Sequence, residues 1–176
     1  MSRLEAGLER LRLWDSALCI RFNGAVRIAP VRLVFRVVSR LGDGVFWYSL
    51  MLALLAAGGA TALGPVARMA GTGLACTLIY KWLKSKTSRP RPFAVENAVR
   101  AGADPLDPFS FPSGHTLHAV AFSMVAIAYY PMLAWLLVPF TLLVAASRVV
   151  LGLHYPSDVL AGAALGALIA TAGVAF

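Results

Sequence analysis

Five stretches of this sequence are apolar over lengths that would cross a lipid bilayer, running about 45–63, 64–83, 115–130, 132–150 and 159–176. A spanning helix needs roughly 20 mostly apolar residues, and the third stretch reaches that length only with its flanks. In lipid, every backbone N–H and C=O must find a partner inside its own segment, so stretches of this kind become helices. The expected fold class is therefore all-α: an integral-membrane bundle of about five spanning helices. Pro65, Pro131 and Pro156 fall at or near helix starts, where a missing N–H costs nothing. Pro139 falls inside the fourth span, where a kink is expected. Charged residues make up only 14% of the chain, against about a quarter in a soluble domain.

Residues 1–43 form a different segment, and residues 44–176 carry the spans. Leu8 and Leu11 recur at helical spacing among Glu5, Glu9, Arg10 and Arg12, and Arg21, Arg27, Arg32, Arg36 and Arg40 continue the basic pattern. These arginines interrupt any span, so the segment reads as one or two helices lying in the headgroup layer, with a partly buried helical pair packed on the bundle as the alternative. Cys19 and Cys76 have no neighbours that suggest a metal or redox site. Gly162 and Gly166 form a GxxxG pair, a signal of close helix packing.

Folded as a serpentine, the spans place every Lys and Arg except Arg68, and all 8 acids, on one membrane face. The formal net charge is +8, from 16 Lys+Arg against 8 Asp+Glu. A basic excess suits phosphate or anionic lipid. Nucleic acid is excluded as a partner, because an apolar bulk leaves no soluble surface for a groove. Lys and Arg at helix ends also set topology, which accounts for the N-terminal arginines and for Lys81 and Lys86.

Three segments bring more specific chemistry to that face. Lys84 and Arg91 leave the second span, and Arg can hold two phosphate oxygens at once. Pro112-Ser113-Gly114-His115 opens the third span, where free N–H groups make an anion site and His115 can move a proton. Ser113 also suits a helix N-cap. Arg148, His154 and Asp158 link the fourth and fifth spans, with His154 and Asp158 spaced i,i+4. A carboxylate there can accept a hydrogen bond from one ring nitrogen of His154 and leave the other free to attack phosphorus. Arg89 is a candidate supporting cation, and His118 reads as packing.

The joint pattern K-x6-RP, PSGH and SR-x5-H-x3-D resembles the type 2 phosphatidic acid phosphatase (PAP2) family, whose fold is shared with vanadium haloperoxidases. It is met here by Lys84 to Arg91-Pro92, Pro112 to His115, and Ser147-Arg148 to His154 and Asp158, with no departure at a motif position. The resemblance implies a cofactor-free, metal-independent hydrolase of lipid phosphomonoesters or diphosphates. It implies His154 as the nucleophile that forms a phosphohistidine, Asp158 as its orienting partner and His115 as the acid. It further implies that Lys84, Arg91, Arg148, Ser113 and the Gly114 backbone hold the phosphate. Undecaprenyl diphosphate, phosphatidylglycerol phosphate, phosphatidate and lipid A phosphates are the expected substrates. Many members have six spans, and here the first is replaced by the interfacial segment. An anion transporter or channel would want polar residues near mid-membrane, where these spans have almost none. A vanadate-dependent oxidase would more often be a soluble protein. The resemblance implies a bacterial inner-membrane protein with a periplasmic site, whereas the charge bias implies a cytoplasmic one.

Overall fold

The computed structural model describes residues 3–175; Met1, Ser2 and Phe176, the last of which closes the expected fifth span, lie outside the described residues. The helices are α1 (Arg3–Asn23), α2 (Ala29–Arg40), α3 (Phe46–Gly58), α4 (Leu63–Thr87), a single turn α5 (Pro92–Val95), α6 (Gly114–Tyr129), α7 (Ala134–Val150) and α8 (Pro156–Ala175). Short 3-10 turns join α1 to α2, α3 to α4 and α6 to α7, and a π turn at Leu41–Val45 joins α2 to α3.

Among the described residues, three helical stretches are long and apolar enough to cross a membrane: Ala29–Thr87, Pro131–Val150 and Pro156–Ala175. The first is not one rod. It breaks at Asp43 and Gly44, whose backbones leave helical geometry, and again at the Gly59–Ala62 turn, and so contains α2, α3 and α4. The expected first span ends early, because α3 stops at Gly58 and Gly59 takes a positive φ. At 25 residues α4 is long enough to span by itself, about 37 Å at 1.5 Å per residue.

Short α6 is the axis of the bundle and packs on α4, α7 and α8. Small residues let its neighbours close in: Ala119, Ala121 and Ala126 are buried on it. Facing it, a Cβ on Gly162 would lie 2.6 Å from the Ser113 carbonyl oxygen, and one on Gly166 2.4 Å from that of Leu117. The GxxxG pair therefore sets the contact between α6 and α8, as the sequence suggested. Trp47, Met51, Met69, Phe122 and Leu137 fill the core around it. Leu52, Leu74, Leu168 and Trp135 point outward, as a lipid-facing surface requires. Arg68, the lone basic residue of the far face, bonds the Gly173 carbonyl near the end of α8.

Helix α1 is built inside out. Asp15, Cys19 and Asn23, spaced i,i+4,i+8, are its buried stripe, whereas Leu8, Leu13, Trp14 and Phe22 are exposed. The polar stripe grips loops of the charged face. Asn23 Nδ2 donates to the carbonyls of Arg100 and Val150, both at 2.9 Å, and its Oδ1 accepts from Arg100 N–H at 2.7 Å.

Candidate active site

The three sequence segments converge on one cavity of about 420 Å³ lined by Lys84, Arg91, Gly114, His115, Arg148 and His154. Its polar end adjoins an apolar groove lined by Trp47, Tyr48 and Met51 of α3 and by Gly73 and Leu74 of α4. Tyr48 and Leu74 are largely exposed, so this groove reaches the apolar outer surface of α3 and α4.

The loop between α4 and α6, long enough to read as functional or disordered, is ordered across the cavity. Pro90 pairs with Phe109 in an antiparallel bridge, and Ser110 N–H donates to the Arg89 carbonyl at 2.8 Å. Asp107, which the sequence did not single out for a role, ties the two motif cations of this loop together. Its Oδ2 lies 2.6 Å from Lys84 Nζ, its Oδ1 accepts from Arg91 Nη2 at 3.1 Å, and its carbonyl accepts from Arg91 Nε at 2.8 Å. Burial raises the Asp107 pKa, but the Lys84 bond and charge and the Arg91 charge outweigh it, and the carboxyl sits below its ordinary value.

His154 is 1% exposed. The turn that delivers it needs Gly152, which has φ 70° and whose Cβ would lie 2.9 Å from the Arg100 carbonyl oxygen. Arg91 Nη1 stands 3.2 Å from His154 Nε2 and also donates to the Leu153 carbonyl at 2.8 Å. A guanidinium only donates, so Nε2 must accept, and the neutral ring carries its proton on Nδ1. Burial first, then the charges of Arg148, Arg91 and Lys84, hold His154 well below the usual histidine pKa. The ring is neutral at pH 7, with a lone pair on Nε2.

The expected bond between His154 and Asp158 is not formed: Nδ1 and Oδ2 are 3.8 Å apart, and Nδ1 has no hydrogen-bond partner among the described residues. The carboxylate is engaged elsewhere. Its Oδ2 accepts from Tyr155 N–H at 2.8 Å, and its Oδ1 accepts from Arg89 Nη1 at 2.6 Å. Arg89 in turn reaches Asp15 of α1 through Nη2 at 2.8 Å and lies over the Tyr155 ring, 4.1 Å from its centroid. Asp15 also accepts from Ser157 N–H at 2.9 Å and from the Ser157 hydroxyl. The N-terminal helix is thus linked to the carboxylate behind His154. The polar stripe of Asp15, Cys19 and Asn23 was the signal in the sequence, hidden by the arginines around it.

Asp43, in the turn between α2 and α3, places Oδ1 3.5 Å from His115 Nε2. Gly44, with φ 117°, allows that turn. Arg148 is 3% exposed; its Nη1 donates to Ser39 of α2, and its Nε has no partner among the described residues. Ser113 is fully buried and caps α6, its hydroxyl 3.0 Å from Thr116 Oγ1 and accepting from Thr116 N–H. It does not line the cavity, whereas Gly114 does. His118 links α6 to α4, with Nδ1 2.9 Å from the Gly114 carbonyl and Nε2 3.1 Å from Thr77 Oγ1, and it also lines the cavity. Lys81 and Lys86 are exposed at the end of α4. Cys19 is buried with its thiol on the His154 carbonyl, and Cys76 is buried in the core.

The family model of the PAP2 superfamily matches residues 50–176. The chain belongs to the PAP2 superfamily. It is 37% identical over 168 residues to a decaprenylphosphoryl-5-phosphoribose phosphatase of Mycobacterium tuberculosis, a match covering 92% of this chain and 89% of that one. It is 36% identical over 101 residues to an undecaprenyl-diphosphatase of Bacillus subtilis, covering 56% of this chain and 50% of the relative. The chain thus aligns with about half the length of that relative. Its fold superposes on the crystal structure of a transmembrane PAP2-type phosphatidylglycerolphosphate phosphatase from Bacillus subtilis with TM-score 0.77 and 25% identity, covering 95% of this chain and 86% of that one. The PAP2 match begins at Leu50 and so leaves out α1, α2 and the turn with Asp43, although these supply Asp15, Ser39 and Asp43 to the site.

Proposed function

We propose that this chain is a membrane lipid phosphatase that hydrolyses a phosphomonoester or diphosphate through a phosphohistidine on His154. One observation carries the reading: the motif cations and both motif histidines line a single cavity that continues into an apolar groove open to lipid. The groove takes the hydrocarbon of the substrate, and the polar end takes its phosphate.

Lys84, Arg91 and Arg148 hold the phosphate oxygens, with the Gly114 backbone beside them. His154 Nε2 forms a bond to phosphorus, and the bond from phosphorus to the lipid oxygen breaks. The electron pair stays on that oxygen, which takes a proton from His115. Asp43, 3.5 Å from His115 Nε2, is placed to orient that ring. Water then attacks the phosphorus and gives a proton to His115, the pair of the N–P bond returns to Nε2, and inorganic phosphate leaves. Asp158 stands behind the ring without bonding it, and closing the 3.8 Å gap to Nδ1 stabilises the positive charge that the imidazole gains.

The test is phosphate release by the purified chain from phosphatidate, phosphatidylglycerol phosphate and a polyprenyl diphosphate, with and without a metal chelator. We expect release that survives the chelator and is abolished in His154→Ala. Release from none of these lipids, or full activity in that variant, overturns the reading.

A further inference from the structure

A second cavity, of about 350 Å³, shares His115, Arg148, Asp43 and Leu106 with the first. Its outer wall is α2, through Arg36, Ser39 and Arg40, and its rim includes Asp104. Arg36 and Arg40 are four residues apart and so share one helix face. Arg36 Nε bonds the Gly102 carbonyl at 2.9 Å, which fixes that side chain against the loop. Arg40 is exposed and forms no ion pair among the described residues. Arg148, buried in the shared wall, is turned toward α2 by its bond to Ser39. Its guanidinium and those of Arg36 and Arg40 face the carboxylates of Asp43 and Asp104, a net positive balance. Of those two, Asp43 is already set against His115.

The position of His115 gives this cavity a chemical meaning. The oxygen that His115 protonates is the leaving oxygen, so the leaving group starts in the wall common to both cavities. A leaving group made only of hydrocarbon and ester needs the apolar groove alone. One with an anionic phosphate at the cleaved bond, or one polyol away from it, meets a guanidinium-lined cavity there, and guanidinium is the side chain best matched to phosphate. Topology alone would account for Arg21, Arg27 and Arg32 equally well, but none of these lines the cavity.

Resting on the lipid-phosphatase reading, we infer that this second cavity is a subsite for a phosphate group in the leaving group. The favoured substrates are then lipids that carry a second phosphate between the hydrolysed one and the hydrocarbon. Prenyl diphosphates and phosphodiester-linked polyol phosphates belong to this class, and phosphatidate does not.

The experiment compares kcat/KM of the full chain in detergent for a prenyl diphosphate, phosphatidylglycerol phosphate and phosphatidate, in wild type, Arg40→Gln and Arg40→Glu. The wild type should prefer at least one of the two-phosphate lipids over phosphatidate by about tenfold or more. That preference should fall several-fold in Arg40→Gln and further in Arg40→Glu, mainly through KM. Equal rates on all three lipids, or a preference that both variants keep, overturn the subsite while leaving the phosphatase reading intact. Release from none of the lipids by wild type overturns both.

Discussion

Removing Asp15 should loosen the nucleophile from a helix that the PAP2 match does not include. Asp15 is fully buried and accepts from Arg89 Nη2, Ser157 N–H and the Ser157 hydroxyl. Truncating one member of a buried ion pair costs about 3–5 kcal/mol. The low end applies here, because the Arg89 side chain is 25% exposed and keeps its bond to Asp158. At about 3 kcal/mol, Asp15→Ala should lower the unfolding temperature by roughly 6–12 °C for a chain of this size. With Asp15 gone, Arg89 can shift and the Asp158 carboxylate with it, so the group that must close on His154 Nδ1 loses its fixed place. A displacement near 1 Å at a reacting group costs about 100-fold in rate. The assay is kcat and KM for phosphate release below the unfolding temperature, beside a thermal melt in the same detergent. We expect kcat to fall about 10- to 100-fold with KM little changed. Asp15→Asn keeps an acceptor for Ser157 and should lie between the two. A lowered melt with unchanged kcat would show that Asp15 only stabilises the fold, and no change in either would refute the reasoning.

Other expectations follow from single contacts. Gly166→Ala puts a methyl against backbone 2.4 Å away, so α8 must move off α6; we expect lower thermal stability by about 1–3 kcal/mol, and a melt at the wild-type temperature would contradict the packing. Because burial and the neighbouring cations depress the His154 pKa, its ring should stay neutral as pH falls through the ordinary histidine value near 6.5. Sign follows from linkage: the unfolded chain binds that proton first, so this group's stabilising contribution is full above pH ~6.5 and is lost as pH falls toward the folded pKa. Ring-nitrogen NMR of labelled histidine, assigned with His154→Gln, checks this, and a midpoint at 6.5 would refute it. Asp107→Asn removes the carboxylate between Lys84 and Arg91, so inorganic phosphate should inhibit several-fold more strongly, and weaker inhibition would show that Asp107 positions the cations rather than competing for them.

What could be read from the sequence was what depends on periodicity and motif spacing. Long apolar runs give spanning helices with little regard to tertiary context, and Gly162 and Gly166 lie on one helix face whatever the partner. The motif cations and histidines reach one cavity because their segments leave helices on the same side. The partners of these residues were not legible, because the polar stripe of α1 does not say which distant loop it meets. Arg89 joins Asp158 to Asp15, residues separated by most of the chain. The pair at His154 and Asp158 shows the opposite failure: i,i+4 spacing brings two groups near each other, but whether they bond depends on what else each can reach. Tyr155 N–H and Arg89 took the carboxylate first.

The same partners change what the net charge means. A basic excess of +8 reads naturally as a phosphate site. Yet around the nucleophile, Lys84, Arg89, Arg91 and Arg148 stand among Asp15, Asp43, Asp107 and Asp158, so formal charges there cancel. Burying cations at the edge of a bilayer demands this, since an unpaired buried charge costs several kcal/mol. The carboxylates hold the guanidiniums in place without occupying every donor, and Arg148 Nε is left without a protein partner. The surplus of positive charge lies farther out, on α1, α2 and the turn between them, where Arg3, Arg10, Arg12, Arg21, Arg27 and Arg32 are exposed and Arg36 and Arg40 line the second cavity. We expect recognition of a phosphate at the cradle to rest on preorganised donors, and attraction of an anionic lipid to this face to rest on the exposed arginines of the N-terminal segment. The two should separate experimentally by salt, which screens exposed charge within about 10 Å at 0.1 M and leaves buried pairs nearly untouched.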